Sequence, residues 1–343
     1  MQHDQQAGAL SRRGLFKVSA ALLAGVTGLA TLPKQLLAAP LEGKLATLID
    51  LSLCDGCADR PQPACVTSCK QEKNHTVPKP VDPIPSPFPT NIIEDWSKKQ
   101  EVANRLTPYN RIMVQKAQIM VNGQEKNLSI PRRCMHCDNP ACATICPFSA
   151  NTKDKNGAVV IDQELCFGGA KCKTVCPWQI PQRQSGVGIY LKVAKELMGN
   201  GVMYKCDLCI DRLKAGKTPA CIDACPKKAM LIGPREQIHA EAEKRAAALG
   251  GHIFGKQENG GTSTLYVSPV PFRELEQKLT PASPDPKKGQ PLLKPDVKRK
   301  MAESDGLGKA VLAAPAIGLV AGLVGALGKL SQRRAEHAGK ESR

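Results

Sequence analysis

Few stretches of this chain carry a regular pattern of apolar and polar positions, and each that does predicts an element. Thr47 to Leu53 is a largely apolar run of strand length. Ile112 to Val121 and Gln124 to Ile130 flank Asn122-Gly123, a dipeptide suited to the two positive-φ positions of a tight hairpin turn. Ala158 to Ile161 is a further short strand, set off by Asn156-Gly157. Gly233-Pro234 opens a helix that runs to Leu249 and is closed by Gly250-Gly251. Along it Ile238, Ala242, Ala246 and Leu249 recur at the spacing of one helix face. Residues 77 to 90 carry a proline at roughly every second position and predict an extended polyproline arm rather than a packed element. Residues 281 to 300 mix proline with lysine and read as a tether. The longest uncharged runs lie near the two ends.

The chemistry lies in cysteine. Fifteen cysteines fall into four groups, and three of the groups end in Cys-Pro. The first is Cys54, Cys57, Cys65 and Cys69; the second is Cys134, Cys137, Cys142 and Cys146. The third is Cys166, Cys172 and Cys176, and the fourth is Cys206, Cys209, Cys221 and Cys225. In the bacterial ferredoxin run C-x2-C-x2-C-x3-C-P, three cysteines hold one iron-sulfur cubane and the fourth reaches a second cluster. Each group here keeps the leading step and the closing C-x3-C, while the middle gap varies. One such match is weak; four in one chain point to a multi-cluster electron carrier. A disulfide framework suits shorter chains and an even count. Zinc accepts C-x2-C pairs but does not ask for the C-x3-C-P endings. Ala58, Asp138 and Ile210 follow the three C-x2-C pairs, so no haem-attaching C-x-x-C-H exists.

Four cubanes with a thiolate on every iron need one cysteine more than the chain has. The gap lies in the third group, where Gly169 occupies the place of the second cysteine. Glycine cannot ligate, so this site is expected to hold a three-iron cluster, or a cubane whose fourth iron takes water or a carboxylate such as Asp162 or Glu164. Hard carboxylates suit such sites less well than thiolate. The paired spacing of the groups implies an α+β fold with a duplicated ferredoxin-like body holding four clusters.

Length allows one large or two small domains. Aromatic residues make up only 3% of the chain, and clusters that tie distant segments together would replace part of an ordinary core. The net charge of +17 raises the question of nucleic acid, but bound thiolates are anionic and the formal count ignores them. Arg132 and Arg133 before Cys134, Lys171 and Lys173 around Cys172, and Lys227 and Lys228 after Pro226 are expected to offset that charge. Positive charge beside a cluster favours the reduced form and raises its potential.

The ends address the chain. Residues 11 to 17 contain Arg12-Arg13 and precede the apolar stretch Val18 to Leu32, so residues 1–39 read as a twin-arginine export segment. That route carries folded protein, which lets clusters enter in a reducing compartment before export. Ala310 to Gly328 is uncharged over 19 residues, about 28 Å of helix against a hydrocarbon layer of about 30 Å. The organisation expected is therefore a signal segment over 1–39, a four-cluster body over 40–280, a tether over 281–307, one C-terminal transmembrane helix over 308–329 and a basic tail over 330–343. Lys329, Arg333, Arg334, Lys340 and Arg343 favour a cytoplasmic tail, against which Lys298, Arg299 and Lys300 weigh on the other side. The body then lies at the periplasmic face of the membrane.

Tyr204 to Arg212, Thr218 to Pro226, Cys134 to Cys137 and Gly260-Gly261-Thr262 with Tyr266 resemble the iron-sulfur β subunit of membrane-bound formate dehydrogenases. The export segment and Val270 to Glu274 are similar to the ferredoxin subunit of the hydrogenase-2 type. The likeness covers roughly residues 45 to 330. It implies that groups one and four pair, as do groups two and three. Cluster one would take Cys54, Cys57, Cys65 and Cys225; cluster four would take Cys206, Cys209, Cys221 and Cys69. Cluster two would take Cys134, Cys137, Cys142 and Cys176, and cluster three Cys166, Cys172 and Cys146. Nitrate reductase β subunits of the same family also lack a cysteine at the place of Gly169 and carry a three-iron cluster there. In such relatives the one-four pair faces the catalytic subunit and the two-three pair the membrane. Lys70 departs from the proline that usually follows group one. His136, inside group two, is expected to hydrogen-bond or pack rather than ligate.

The reading that results is an electron-transfer subunit, not an enzyme on its own, with three 4Fe-4S clusters and one 3Fe-4S cluster. Its partners would be an extracytoplasmic catalytic subunit and an integral membrane quinone- or haem-binding subunit, with no nucleic acid. The catalytic partner is a formate dehydrogenase, another molybdenum or tungsten pterin enzyme, or a nickel-iron hydrogenase. The alternative is a membrane-tethered free ferredoxin-like carrier. No P-loop or G-x-G-x-x-G accompanies the clusters.

Overall fold

A computed structural model describes residues 43–87, 91–121, 123–193, 200–279 and 289–302. The export segment over 1–39, the transmembrane helix over 308–329 and the tail over 330–343 lie outside the described residues. Among the described residues no helix is long and apolar enough to cross a membrane.

In chain order the first half comprises β1 (Leu45–Asp50), α1 (Ala64–Lys73), β2 (Met113–Val121), β3 (Gln124–Arg132), α2 (Ala141–Thr144), β4 (Asn151–Lys153) and β5 (Val159–Ile161). Then come α3 (Lys171–Val175), β6 (Gln182–Gln184), α4 (Tyr190–Val193), β7 (Val202–Tyr204), α5 (Ile210–Lys214) and α6 (Ala220–Asp223). β8 (Met230–Pro234), α7 (Arg235–Leu249), β9 (His252–Phe254), β10 (Thr264–Ser268) and α8 (Phe272–Lys278) complete the set. The architecture is α+β and ferredoxin-like, with short helices carrying the first cysteine of each closing C-x3-C.

The central sheet runs β8-β1-β10-β9. β1 is buried along its whole length and pairs antiparallel with β8 and parallel with β10. A strand hidden on both faces shows no alternation, which is why its sequence is a plain apolar run. It starts two residues before the expected Thr47 and stops at Asp50, whose carboxylate accepts the N–H of Ser52 at 3.0 Å and turns the chain. β2 and β3 form the hairpin that Asn122-Gly123 predicts, with Val121 opposite Gln124. β3 is exposed in its outer half and buried in its inner half, while β2 alternates along its length. β4 pairs with β5, and β6 with β7.

α7 packs on the central sheet through Ile238, Ala242 and Ala246. Leu249 departs from the expected face and is 39% exposed. Gly250 takes a left-handed conformation and Gly251 N–H closes on Ala246 O at 2.8 Å, so the chain reverses there. That reversal brings Gly251 against Ser268 O of β10 and leaves Leu249 outside the turn.

The tether expected over 281–307 is also different where it is described. Residues 289–302 lie against the body: Leu293 is fully buried, its carbonyl accepts Trp178 Nε1–H at 2.7 Å, and Leu292 O accepts Arg132 Nη2–H at 2.9 Å. Leu293, between prolines and lysines, supplies the apolar anchor while the Leu292 side chain faces solvent, and the body extends past residue 280. The proline-rich arm is likewise packed in part. Val77 is buried and Val81 N–H donates to Gly186 O.

The few aromatic side chains are concentrated. Trp178, Tyr266 and Phe272 each meet Phe254, with ring centroids 6.3, 5.9 and 5.1 Å apart. The large core holds this cluster with thiols from groups one, two and four. A second, smaller core gathers Val77, Tyr109, Val187, Val202 and Tyr204 around Cys166.

Candidate cluster sites

All fifteen cysteines are free thiols. Helices α1 and α6, which carry Cys65 with Cys69 and Cys221, pack together, and so do α2 and α3, which carry Cys142 and Cys172. Three of these helices begin with Pro-Ala-Cys: Pro63, Pro140 and Pro219 are their N-caps, with fixed backbone angles that lead into the first turn. This triplet, repeated in the sequence, marks the helix starts. Group three departs from it at Ala170, whose φ is 55°.

Each leading loop turns the same way. The residue two positions after the first cysteine has positive φ in all four groups: Gly56 (70°), His136 (48°), Gly168 (64°) and Leu208 (58°). The turn aims backbone N–H groups at sulfur, as in His136 N–H to Cys134 Sγ at 3.5 Å and Leu208 N–H to Cys206 Sγ at 3.4 Å. Gly56 and Gly168 serve Cys54 and Cys166 in the same manner. Group three therefore keeps the loop although it lacks the second thiol.

The thiols surround volumes rather than points. Cys54, Cys57, Cys65 and Cys225 line one space of about 350 Å³. Cys69, Cys206, Cys209 and Cys221 line another of about 330 Å³ together with Lys73, Arg111 and Arg133. Cys146, Cys166 and Cys172 line a third of about 600 Å³ with Gly169, Phe148, Phe167 and Tyr190. Cys134, Cys142 and Cys176 act electrostatically on Cys137, so the remaining four thiols are mutual neighbours. Among the described residues no three Cys, His, Asp or Glu side chains converge as a single ion requires.

The surroundings fit iron-sulfur clusters. Burial pushes eleven of the thiols up, Cys54 and Cys221 to about 11 and Cys176 and Cys209 to about 12. They ionise only when iron supplies the compensating charge, so loading releases protons. Buried Arg132 Nε and Nη1 and Arg133 Nε have no hydrogen-bond partner among the described residues, and sulfur acceptors of a bound cluster would satisfy them. Asn259, on the turn before the Gly260-Gly261 pair, donates its Nδ2–H to Cys137 Sγ at 3.3 Å.

The offsetting cations are only partly those expected. Arg133 is fully buried, with Nη1 3.9 Å from Cys206 Sγ and Nη2 donating to Thr47 Oγ1 at 2.6 Å. Lys171 and Lys228 are exposed, and Lys227 pairs with Asp55 at 3.6 Å on the surface. The cations the sequence reading missed are Lys73, Arg111 and Lys205. Lys205 is buried and donates to Val159 O and, at 3.2 Å, to Cys206 O. Lys73 pairs with Asp207 at 2.9 Å, inside group four. It gets there because Lys70 replaces proline, so α1 continues past Cys69 for another turn while the helices of the Cys-Pro groups stop.

At group three, Asp162 Oδ1 accepts the N–H of Glu164 at 2.9 Å, and Glu164 faces solvent beside Lys192 at 3.5 Å. Neither lines the space at Gly169. A side chain on Gly169 would meet nothing within 4 Å, whereas one on Gly168 would lie 2.3 Å from Gly201 O. His136 is buried and hydrogen-bonded: Val159 N–H donates to its Nδ1 at 2.9 Å and its Nε2 lies 3.6 Å from Cys206 Sγ. Burial, then Lys205 and Arg133, push its pKa well below the usual histidine range.

This fold, with rings of free thiols on duplicated loops, defines a ferredoxin-like iron-sulfur protein. Two 4Fe-4S dicluster domain models match, over residues 53–150 and 126–235. The hydrogenase-2 operon protein HybA of Escherichia coli O157:H7 is 32% identical over 272 residues, covering 69% of this chain and 74% of the relative. The iron-sulfur subunit of the nitrate-inducible formate dehydrogenase of Escherichia coli K12 is 29% identical, covering 66% and 68%. YnfG of the same strain, a probable component of an anaerobic dimethyl sulfoxide reductase, is 36% identical over 114 residues, 33% of this chain and 49% of the relative. The chain belongs to this family of ferredoxin-like iron-sulfur subunits. It is an electron-transfer subunit of an oxidoreductase complex and is not catalytic on its own.

Proposed function

We propose that this chain relays electrons through three 4Fe-4S clusters and one 3Fe-4S cluster between an extracytoplasmic catalytic subunit and a quinone-linked membrane subunit. One observation carries the reading: three of the four expected cysteine sets each line a space of their own, and the set with only three thiols has Gly169 beside its opening. The clusters would supply one-electron carriers when bound. Cys54, Cys57, Cys65 and Cys225 hold the first, Cys134, Cys137, Cys142 and Cys176 the second, and Cys69, Cys206, Cys209 and Cys221 the fourth. Cys146, Cys166 and Cys172 hold the third, and because no carboxylate among the described residues lines its space a three-iron form is favoured over a cubane with a carboxylate ligand. Phe148 is 52% exposed and stacks on Phe167 at 4.1 Å, giving this end an apolar face toward a partner. The catalytic partner is a nickel-iron hydrogenase, a formate dehydrogenase or another pterin enzyme, the range spanned by the relatives.

Electron paramagnetic resonance decides the cluster content. Oxidised protein shows one three-iron signal, reduced protein shows cubane signals, and iron analysis gives about fifteen per chain, following the ligand count. Four cubanes, or only three clusters in total, would overturn the reading. Export and anchoring are tested separately: Arg12 and Arg13 changed to lysine strand the protein in the cytoplasm, and truncation before Gly308 releases a soluble body. Pull-down from solubilised membranes names the partners and separates this reading from a tethered free carrier.

A further inference from the structure

The buried histidine of group two touches thiols of two different sites. His136 backbone N–H donates to Cys134 Sγ at 3.5 Å, while its ring Nε2 lies 3.6 Å from Cys206 Sγ in group four. Nδ1 already accepts Val159 N–H at 2.9 Å, so the ring proton sits on Nε2 and points at sulfur. Cys206 Sγ also receives Leu208 N–H at 3.4 Å and faces Arg133 Nη1 at 3.9 Å. Lys205 braces the ring's neighbourhood by donating to Val159 O and Cys206 O. A core histidine held only by packing would find carbonyl or water acceptors; this one has sulfur on one side and a backbone donor on the other.

We propose that His136 is the positioning residue that joins the two halves of the body, tuning the Cys206 site through its ring N–H while its backbone N–H serves the Cys134 site. The run Cys134 Sγ, His136 N, Cα, Cβ, ring and Cys206 Sγ is a continuous path of bonds and hydrogen bonds between the cluster pairs. A donor to thiolate stabilises the more negative, reduced state and raises the potential of that site. Two cluster ligands thereby share one residue, through its backbone N–H and its ring, so the electron affinity of one pair is tied to the geometry of the other. The inference rests on the ligand sets proposed above.

The test uses the full-length chain with clusters loaded. In potentiometric titrations followed by paramagnetic resonance, His136→Phe shifts one cubane to a more negative midpoint and leaves the other signals in place. His136→Gln, which keeps an N–H donor, restores most of the shift. Equal shifts at every cluster, no shift at all, or the same shift in both variants would overturn the proposal. Wild-type protein labelled with nitrogen-15 histidine gives an independent reading: pulsed resonance detects an imidazole nitrogen coupled to a cubane. Of six histidines, His136 is the one inside a cysteine group, so absence of that coupling in protein with normal cubane signals also overturns it. Absence of the cubane signals themselves would instead sink the cluster assignment.

Discussion

The two halves of this body carry the same motif in different settings. Of the eight cysteines in groups one and four, six are buried; of the seven in groups two and three, only Cys134 and Cys166 are. The one-four half is built around β1 and the large core, with Lys73 and Asp207 paired beneath it. The two-three half has short two-stranded pieces, a small core around Cys166 and an apolar opening bordered by Phe148, Phe167 and Tyr190. A duplicated unit can thus bear structure at one end and exchange at the other. Where the thiols are buried they also hold the sheet together; where they are half-exposed, substitution touches the local site. Gly169 lies at the more open end, where the loop geometry survives without its ligand.

The strongest way to break this contrast is to remove one thiol from each half. Cys225→Ala should lower the melting temperature far more than Cys172→Ala, because Cys225 sits in the large core next to β8; similar losses by calorimetry would erase the distinction. Next, Lys73→Met removes the nearer of the two cations beside half-buried Asp207, leaving Arg111 at 3.9 Å, and is expected to destabilise by about 1.5–3 kcal/mol in denaturant unfolding. Lys70→Pro should end α1 early and cost about 3 kcal/mol, while adding the proline that the other groups have. Unchanged stability would mean that the extra turn of α1 contributes nothing.

The smallest energetic effect is the most specific. Gly169→Cys should change stability by no more than about 0.5 kcal/mol, because its side chain enters open space. It should convert the three-iron signal to a cubane of lower potential, since added thiolate raises local negative charge. Gly168→Ala, one residue earlier, meets Gly201 O and should cost about 1–3 kcal/mol with loss of the three-iron signal. If the two substitutions behaved alike, the loop would not be the rigid frame described.

The four cysteine groups were legible in the sequence because each spacing is local and the pattern repeats four times. The hairpin was legible from Asn122-Gly123, and α7 from its flanking Pro234 and Gly250. The central sheet was not, because β1 takes partners more than 180 residues away and Thr264 to Ser268 carries little periodicity of its own. Lys205 and Lys73 read as ordinary surface lysines until folding buries them against Cys206 and Asp207. The segment near Leu293 read as a tether because its prolines dominate, while one buried leucine and two backbone carbonyls were enough to dock it.

The placement of β1 has a consequence for biosynthesis. This strand is among the first described parts of the chain to leave the ribosome, yet both of its neighbours, β8 and β10, are among the last. Its backbone groups must therefore wait through most of translation before they can pair. Contacts of such long sequence separation form slowly. Maturation of this polypeptide is thus a late event, and a chain stalled before residue 230 would present an unpaired apolar strand to whatever factors attend it.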